Sequence, residues 1–245
     1  MYSRIKKNIK ALIPKQFLFK NELLFRSVYG IFFLGKNHQC NLCKHELKSF
    51  IKLENHDLLC PFCGSLSRNR RLWKLLNEEN QITGNILHFS PSRSLYRNLK
   101  KQNSINYYST DFEDEFLADY KFDITNIEQE SNKFDTIVCY HILEHILDDK
   151  KAISELYRVL KPNGTIFIQT PFKDGDIYEN HCITLPEERL KHFGQEDHVR
   201  VYSINGLKKR LINGNFNVTE KSFTNEMDDF FLGLNTSETI LIATK

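Results

Sequence analysis

The chain has 245 residues, of which 40% are apolar and 27% charged, a composition typical of a soluble protein with one medium-sized domain and a small appendage. Its net charge of +3 is unevenly distributed, because residues 1–36 carry eight Lys or Arg and the single acid Glu22. This leader therefore has a charge of +7 and the rest of the chain −4, which excludes a body that binds polyanions in general.

The leader, residues 1–36, begins with helical periodicity. Apolar residues from Ile5 to Ile13 recur on one helical face, and Pro14 ends the predicted helix. A second apolar stretch, Leu23–Leu34, is too short to span a bilayer. Two interpretations stay open: residues 1–34 lie on an anionic membrane surface as a basic amphipathic anchor, or the leader packs as a helical arm on the protein's own core or on a second subunit. We favour the second.

Residues 37–66 carry two Cys-x-x-Cys pairs, formed by Cys40, Cys43, Cys60 and Cys63. Pairs at this spacing close a tetrahedral zinc site, and Gly64 permits the left-handed backbone of the second turn. Four thiolates leave no open position, so the zinc is predicted to be structural and to supply folding free energy on the order of 10 kcal/mol or more. The competing interpretation is a pair of disulfides. No signal peptide is recognisable before the cysteines, so we expect a reduced, cytoplasmic protein.

From residue 67 onward, predicted helices alternate with predicted strands. The strands cover Ile86–Phe89, Asn106–Thr110, Lys121–Ile124, Phe134–Tyr140, Thr165–Thr170, Phe216–Lys221 and Thr239–Thr244, and the helices cover Ser67–Leu76, Ser94–Lys101, Asp149–Leu160 and Ile204–Ile212. This alternation predicts an α/β fold with a doubly wound, mainly parallel sheet covered on both faces. A loop around Glu226–Leu232 is all that separates the last two strands, which predicts an antiparallel strand at the edge.

Polar residues follow four of these strands, at the sheet edge where doubly wound folds bind ligands. Ser90-Pro91-Ser92 leads into a helix whose first amides can receive a carboxylate or phosphate. Asp111, 21 residues after Ser90, is placed to accept ribose hydroxyls, and Asp123 to accept from the exocyclic amine of a purine. The fourth strand runs into His141-Ile-Leu-Glu-His145.

Three sequence blocks resemble the class I S-adenosylmethionine-dependent methyltransferases, most closely the type 11 group. They are Phe-Asp-Thr-Ile at 134–137, Leu-Glu-His at 143–145 and Glu-Leu-Tyr-Arg-Val-Leu-Lys-Pro-Asn-Gly at 155–164, and the resemblance spans about residues 84–245. It implies a seven-stranded Rossmann-like sheet with the last strand antiparallel, and S-adenosylmethionine as cofactor. It also implies that cofactor is held by Asp111 at the ribose, by Asp123 and Ile124 at the adenine, and by Tyr140 and His141 near the methionine part.

The first turn departs from the pattern of this family. A glycine-rich turn is usual there, because glycine lets the backbone approach the cofactor closely. Here the turn is Phe89-Ser90-Pro91-Ser92, similar to a sub-branch in which an aromatic residue, a small residue and a proline fill it. Two interpretations stay open: Ser90 or Ser92 and the helix amides meet the cofactor's carboxylate, or the chain is a non-catalytic relative that serves as a scaffold or binding module.

Residues 172–202 form a long polar connection that resembles the insert of ribbon-bearing members of this branch, and we expect a lid or substrate wall there. Methyl transfer to oxygen requires an in-line nucleophile at about 3 Å and a base that takes its proton. His198 beside Asp197 is our candidate base, and a hydrogen-bonded loop latch is the alternative interpretation. His181 and His192 are further candidates.

The sequence thus predicts a leader (1–36), a zinc ribbon (37–66) and a methyltransferase domain (67–245) that methylates a hydroxyl of a small molecule or glycan. The Asn/Asp-Pro-Pro-aromatic turn of enzymes that methylate nucleic-acid amines is absent, since Tyr140-His141-Ile142 stands there. Methylation of RNA, gripped by the ribbon and by Arg68, Arg70 and Arg71, is the alternative enzyme. The net acidic body argues against it, because affinity for nucleic acid depends on neutralising phosphates.

Overall fold

The structure, a computed structural model, describes residues 21–224, 227–234 and 237–245. These residues divide into two compact units. The ribbon unit comprises the described residues up to Lys74 together with 227–234, and the sheet unit comprises the described residues from Leu75 onward except 227–234. The leader helix predicted over Ile5–Ile13 lies outside the described residues, and the domain boundaries given above stay predictions.

The ribbon unit contains short strands in two antiparallel pairs, and helices. Strand β1 (Leu34–Gln39) pairs with β2 (Glu46–Leu47), and β3 (Ile51–Lys52) pairs with β4 (Leu58–Leu59). Its helices are α1 (Glu22–Gly30), the first part of α2 (Ser67–Glu78) and α7 (Met227–Leu232). Helix α2 confirms the prediction for that segment. The loop predicted around Glu226–Leu232 was wrong for its described part, which forms α7.

Helix α1 and the turn after it carry exposed apolar side chains. Leu24 is 63% exposed and Phe32 70%, and Gly30 is the one buried residue of α1. Within the described residues, no helix is both long and apolar enough to cross a bilayer. Peripheral membrane contact through residues 1–34 and packing of the leader as an arm both stay predictions.

Two arginines of α2 are buried within the ribbon unit. Arg71 donates to both carboxylate oxygens of Asp229, at 2.8 and 2.6 Å, and both side chains are 1% exposed. Arg70 lies 4.2 Å from the centre of the Phe50 ring and donates to the carbonyl groups of Leu58, Ser65 and Leu232. The predicted grip of Arg70 and Arg71 on RNA is therefore wrong, because both guanidinium groups bind acceptors inside the unit.

The sheet unit is built on a six-stranded sheet. Its strands are β5 (Gly84–Phe89), β6 (Ile105–Thr110), β7 (Phe134–Tyr140), β8 (Leu160–Gln169), β11 (Asn217–Phe223) and β12 (Glu238–Thr244), in the order β11-β12-β8-β7-β5-β6. The pairs β5–β6, β5–β7 and β7–β8 are parallel, whereas β12 is antiparallel to both of its neighbours. The mainly parallel sheet with its last strand antiparallel is confirmed, but the described residues form six strands where seven were expected.

The missing strand is the one predicted over Lys121–Ile124. Only single bridges form here, one between Asp123 and Asn126, and one between Thr110 and Tyr120, which directly precedes the segment. The Asp123 carboxylate accepts hydrogen bonds from the backbone amide and the hydroxyl of Thr125, both at 2.8 Å. Such a local side-chain turn competes with a ladder of backbone bonds, so the chain bends here instead of extending the sheet.

The central strands are buried on both faces, as a sheet covered by helices requires. Ile137, Val138 and Cys139 of β7 are consecutive and have no exposed surface. Alternate residues of a strand point to opposite faces, so Ile137 and Cys139 share one face and Val138 lies on the other. The first face packs in one apolar cluster with helices α4 (Asp149–Val159) and α6 (Ile204–Asn213).

Side-chain caps begin the helices α3 (Arg93–Lys100), α4 and α6 of the sheet unit and satisfy backbone amides that a helix leaves unpaired. Ser92 caps α3, Asp148 caps α4 and Ser203 caps α6. The connection after β8 contains helix α5 (Pro186–Phe193) and a short antiparallel pair of strands, β9 (Tyr178–Glu179) and β10 (Arg200–Val201). The predicted insert over 172–202 is therefore an ordered segment within the sheet unit.

His88 of β5 is buried beside Tyr107, whose hydroxyl lies 3.1 Å from His88 Nδ1. Burial lowers the pKa of His88 from 6.5 to about 3, because desolvation disfavours the imidazolium. Between pH 6.5 and 3, His88 is therefore protonated in the unfolded chain and neutral in the folded chain. The free energy of unfolding falls as the pH drops through this range.

We expect unfolding in urea to show this loss. From about pH 7.5 to about pH 5, the wild type should lose about 2 kcal/mol more stability than His88→Gln, which keeps an acceptor for Tyr107 but does not titrate. Parallel pH profiles for the two proteins over that range would contradict the assignment.

Candidate functional site

The ribbon unit brings the four predicted zinc ligands together. The Sγ atoms of Cys40 and Cys63 are 3.6 Å apart, those of Cys43 and Cys60 are also 3.6 Å apart, and all four lie within 4.8 Å of one another. Tetrahedral zinc with sulfur at about 2.3 Å requires sulfur–sulfur separations of about 3.8 Å. None of the four forms a disulfide.

The two cysteine turns have the same backbone pattern. The amide of Lys44 donates to the carbonyl of Cys40, as the amide of Gly64 does to that of Cys60, at 2.7 and 3.0 Å. Lys44 and Gly64 both have left-handed backbone, with φ of 64° and 74°. The predicted conformation of Gly64 is confirmed, and the first turn adopts it with a lysine.

The thiols also show the electrostatics of a metal site. Hydrogen bonds from the other thiols, first that of Cys43, hold the pKa of Cys40 well below its usual range, whereas the thiol of Cys40 raises the pKa of Cys63 well above it. One thiolate thus opposes the ionisation of the next, and a cation at the centre removes that opposition. The donor set and its geometry fit a structural zinc ion, with no position left for a substrate.

We expect one zinc ion per chain when the protein is purified with reductant, and loss of most of that zinc in Cys60→Ser. Three remaining ligands bind the ion less tightly, and the ribbon unit loses folding free energy on the order of several kcal/mol. Metal analysis and circular dichroism measure both effects.

Cys182→Ser is the matched control, because Cys182 is an exposed free cysteine of the sheet unit. It should keep its zinc. Wild-type protein with well under one zinc per chain would contradict a zinc ribbon.

The candidate cofactor site, which we term the crevice, is the edge at the carboxyl ends of the parallel strands in the sheet unit. The register pairs Phe89 with Thr110, and Tyr140 with Gln169, so the residues that follow each strand share one edge. Ser90 follows β5, Asp111 follows β6 and His141 follows β7.

Two of these residues have left-handed backbone without being glycine. Ser90 has φ of 43° and His141 has φ of 55°. The Ser90 amide donates to the carbonyl of Thr110 at 2.7 Å, and the His141 amide donates to that of Gln169 at 2.8 Å. Such a conformation is unfavourable for a residue with a Cβ and is found most often at functional sites. The glycine-free first turn thus adopts the conformation that glycine would otherwise provide.

Asp111, the predicted ribose ligand, is 5% exposed and lies beside Ser90. One of its oxygens accepts from the Ser90 hydroxyl at 2.6 Å, and the other accepts from the amides of Glu115 and Phe116 at 2.6 and 2.9 Å. A carboxylate has about four lone-pair sites, so the Ser90-facing oxygen retains one for a ligand hydroxyl.

The other predicted cofactor residues divide into two groups. Asp123, Tyr140, His141 and Ser92 are partly accessible, although Ser92 is used as the cap of α3. Phe89, Ile124 and Pro91 are buried, and the first two belong to the apolar cluster of the sheet unit, so their side chains support the site without facing it.

Buried polar atoms near the ends of β7 and β8 lack hydrogen-bond partners within the part of the chain that the structure describes. They are His141 Nε2, Gln169 Oε1, Thr170 Oγ1 and both carboxylate oxygens of Glu144. Buried polar groups are normally satisfied, so this set marks a place where a polar ligand completes the site. Sequence reasoning missed Gln169 and Thr170, although both lie at the carboxyl end of a buried strand, at the expected edge.

The predicted catalytic residues, Asp197 and His198, lie against the loop that directly follows β7. Glu144, His145 and His198 each offer a ligand atom within 4.8 Å of the others, and we term them the Glu-His-His cluster. Asp197 contacts His145, with Oδ2 3.0 Å from Nδ1, and His198 Nδ1 lies 3.2 Å from the Phe193 carbonyl. The structure thus brings both predicted catalytic residues to one place and pairs Asp197 with a histidine other than its neighbour.

The charge states of this cluster follow from burial. Desolvation lowers the pKa of His198, and the nearby His145 lowers it further, so the ring is neutral at pH 7. Burial has the largest single effect on the pKa of Glu144 and raises it. His141, whose Nδ1 is 3.4 Å from Oε1, lowers it together with the local backbone and His145, and the net pKa lies below the ordinary value. His181 and His192 are exposed residues of the insert.

The profile of the family described as "Methyltransferase domain" matches residues 89–221, more than half of the chain. The chain belongs to this family. The match begins at the end of β5 and includes Asp111, the loop after β7 and the insert, so the crevice described above lies within the family's domain.

Among curated proteins, the chain is similar to a tRNA U34 carboxymethyltransferase of Nautilia profundicola, with 31% identity over 130 residues. That alignment covers 53% of this chain and 39% of the relative. The chain spans between 19% and 39% of the length of the curated relatives it matches.

Solved structures share the fold at low identity. A SAM-dependent methyltransferase from Archaeoglobus fulgidus is 15% identical with a TM-score of 0.50, covering 71% of this chain and 93% of that one. An S-adenosylmethionine-dependent methyltransferase from Mesorhizobium loti is 13% identical with the same TM-score, covering 71% and 97%. These likenesses establish the Rossmann-like methyltransferase fold.

Proposed function

We propose that this chain is an S-adenosylmethionine-dependent methyltransferase that methylates a hydroxyl oxygen of its acceptor. The observation that carries the proposal is the crevice at the carboxyl edge, where Ser90, Asp111 and His141 converge beside buried polar atoms that lack partners in the described chain. Membership of the methyltransferase-domain family supports it.

The residues present fit S-adenosylmethionine. Asp111 accepts from a ribose hydroxyl, and Asp123, which has one oxygen outside its local turn, accepts from the adenine amine. His141, Gln169 and Thr170 offer polar atoms to the methionine part. When bound, the cofactor supplies a sulfonium methyl group that a nucleophile displaces in line.

The Glu-His-His cluster is our candidate for activating the acceptor. It lies directly after β7, and His141 joins it to the crevice through the contact with Glu144. His198, the candidate base predicted from the sequence, stays a proposal, and Glu144 and His145 are now proposed to act with it. The insert over 172–202 holds His198 in place and is proposed to form the wall against which the acceptor lies.

A small molecule or glycan is the acceptor that we favour, and RNA is the second candidate. Similarity to the tRNA U34 carboxymethyltransferases of Nautilia profundicola and Campylobacter hominis favours RNA. Against it, Arg70 and Arg71 bind partners inside the ribbon unit, so neither guanidinium group is available to phosphates. Methyl label from the cofactor that enters tRNA in a mixed cell extract would decide for RNA, and label in a nuclease-resistant fraction would decide for the small acceptor.

Calorimetry with S-adenosylmethionine tests the proposal. We expect saturable binding, weakened about 10- to 100-fold in Asp111→Asn, because a charge-assisted hydrogen bond contributes about 1.5–3 kcal/mol. Asp123→Ala should weaken binding independently, so the test does not depend on one variant.

Asp135→Asn is the matched control. Asp135 lies near the amino end of β7, away from the crevice edge, where it pairs with Lys161. Its affinity should equal that of the wild type. The proposal is contradicted if the wild type shows no heat of S-adenosylmethionine binding, or if Asp111→Asn and Asp135→Asn bind it with equal affinity. Either result would favour a non-catalytic binding protein.

A further inference from the structure

The Glu-His-His cluster contains a buried carboxylate that accepts no hydrogen bond from the described residues. Glu144 is 1% exposed, and neither of its carboxylate oxygens has a hydrogen-bond partner among the described residues. The nearest basic atom, His141 Nδ1, lies 3.4 Å from Oε1 in a geometry that is not a hydrogen bond. A buried carboxylate is retained when it is paired or when it coordinates a metal, so this position calls for a cation.

The two imidazole rings are held in the manner of metal ligands. His145 has Nδ1 beside the Asp197 carboxylate at 3.0 Å, and His198 has Nδ1 beside the Phe193 carbonyl at 3.2 Å. When Nδ1–H donates to such an acceptor, Nε2 keeps its lone pair for a metal ion. A carboxylate or carbonyl behind each histidine is the usual outer partner of a histidine–metal bond.

The backbone fixes the two segments that supply the ligands. The Val199 amide donates to the Glu144 carbonyl at 2.9 Å. Arg200, which is 1% exposed, donates to the carbonyl groups of Leu143 and Leu147 at 3.1 and 2.8 Å. These bonds tie the end of the insert to the loop after β7, so the three ligands are preorganised within one unit.

We propose that Glu144, His145 and His198 bind a divalent first-row transition cation, such as Mn²⁺, Fe²⁺, Co²⁺ or Zn²⁺. Two imidazoles and one carboxylate suit these ions, whereas four thiolates, as in the ribbon unit, favour zinc. Three protein ligands leave positions open for a substrate oxygen, which distinguishes this site from the closed cysteine site.

The catalytic use of the cation rests on the proposed function. A divalent cation lowers the pKa of a coordinated hydroxyl, as it does for water, so the acceptor releases its proton to solvent. The oxygen then attacks the sulfonium methyl carbon, the carbon–sulfur bond breaks with its electron pair on sulfur, and the products are a methyl ether and a neutral thioether. In this scheme His198 is a ligand of the cation, and that role replaces the role of base proposed for it above.

Manganese titration of the full, zinc-loaded chain tests the site directly, followed by electron paramagnetic resonance of free Mn²⁺. Mn²⁺ prefers oxygen and imidazole ligands and does not replace zinc among thiolates. We expect one Mn²⁺ per chain, with affinity reduced about 100-fold or more in Glu144→Gln and about 10- to 100-fold in Asp197→Asn, which supports His145 from behind.

Glu196→Gln is the matched control, because Glu196 is an exposed carboxylate two residues from His198 and outside the cluster. It should bind Mn²⁺ like the wild type. For a test that needs no variant, pulsed resonance of bound Mn²⁺ should show coupling to histidine nitrogen. The proposal is overturned if the wild type leaves Mn²⁺ free, if Glu144→Gln binds as tightly as Glu196→Gln, or if nitrogen coupling is absent.

Failure here and failure of the proposed function are distinguishable with S-adenosylmethionine calorimetry on the same samples. A chain that binds Mn²⁺ but no S-adenosylmethionine keeps the cation site and loses the methyltransferase function. A chain that binds S-adenosylmethionine but no Mn²⁺ keeps the function and loses the cation site.

Discussion

The crevice depends on two left-handed turns at the ends of neighbouring parallel strands. Each is held in this conformation by a hydrogen bond that its backbone amide donates to a neighbouring strand, from Ser90 to the Thr110 carbonyl and from His141 to the Gln169 carbonyl. Left-handed backbone costs an L-residue about 1–2 kcal/mol, comparable with the net contribution of about 1 kcal/mol from one such hydrogen bond. The hydrogen bonds of the parallel register therefore stabilise an unfavourable backbone conformation. This conformation places a serine and a histidine at the edge of the sheet.

A second constraint follows along the same edge. The residues around Arg200 return from the insert to the loop after β7, and this return brings His198 to Glu144 and His145. The loop after β7 supplies Glu144 and His145, and the insert completes the cluster with His198. His141 lies at the proposed cofactor site and also contacts Glu144 of the cluster.

The mainly parallel central sheet and the cysteine cluster could be predicted from the sequence. Hydrophobic periodicity and residue spacing agree with the fold where burial of apolar side chains determines the structure. The strand over Phe134–Tyr140 reads as a continuous apolar run and is buried on both faces. The cysteine spacing likewise determined the cluster geometry. The strand expected over Lys121–Ile124 failed since the Asp123 side chain bonds locally to Thr125, a competition that hydrophobic periodicity does not register.

Long-range partners account for the other errors. The basic run of α2 gave no sign that Arg71 would meet Asp229, 158 residues later, inside the ribbon unit. The proximity of Asp197 and His198 in sequence suggested one pair, whereas Asp197 contacts His145 in the fold. Adjacent residues of an irregular segment often point in different directions, so only the folded chain reveals which histidine a carboxylate supports.

The most direct test of the central claim is a crystal structure of the zinc-loaded chain with S-adenosylhomocysteine. We predict the ribose hydroxyls within about 3 Å of Asp111, the hydrogen-bonding distance, and the turns at Ser90 and His141 still left-handed. A ligand bound elsewhere, or a saturated crystal in which the edge at Ser90 and Asp111 is closed by the protein's own side chains, would contradict the account.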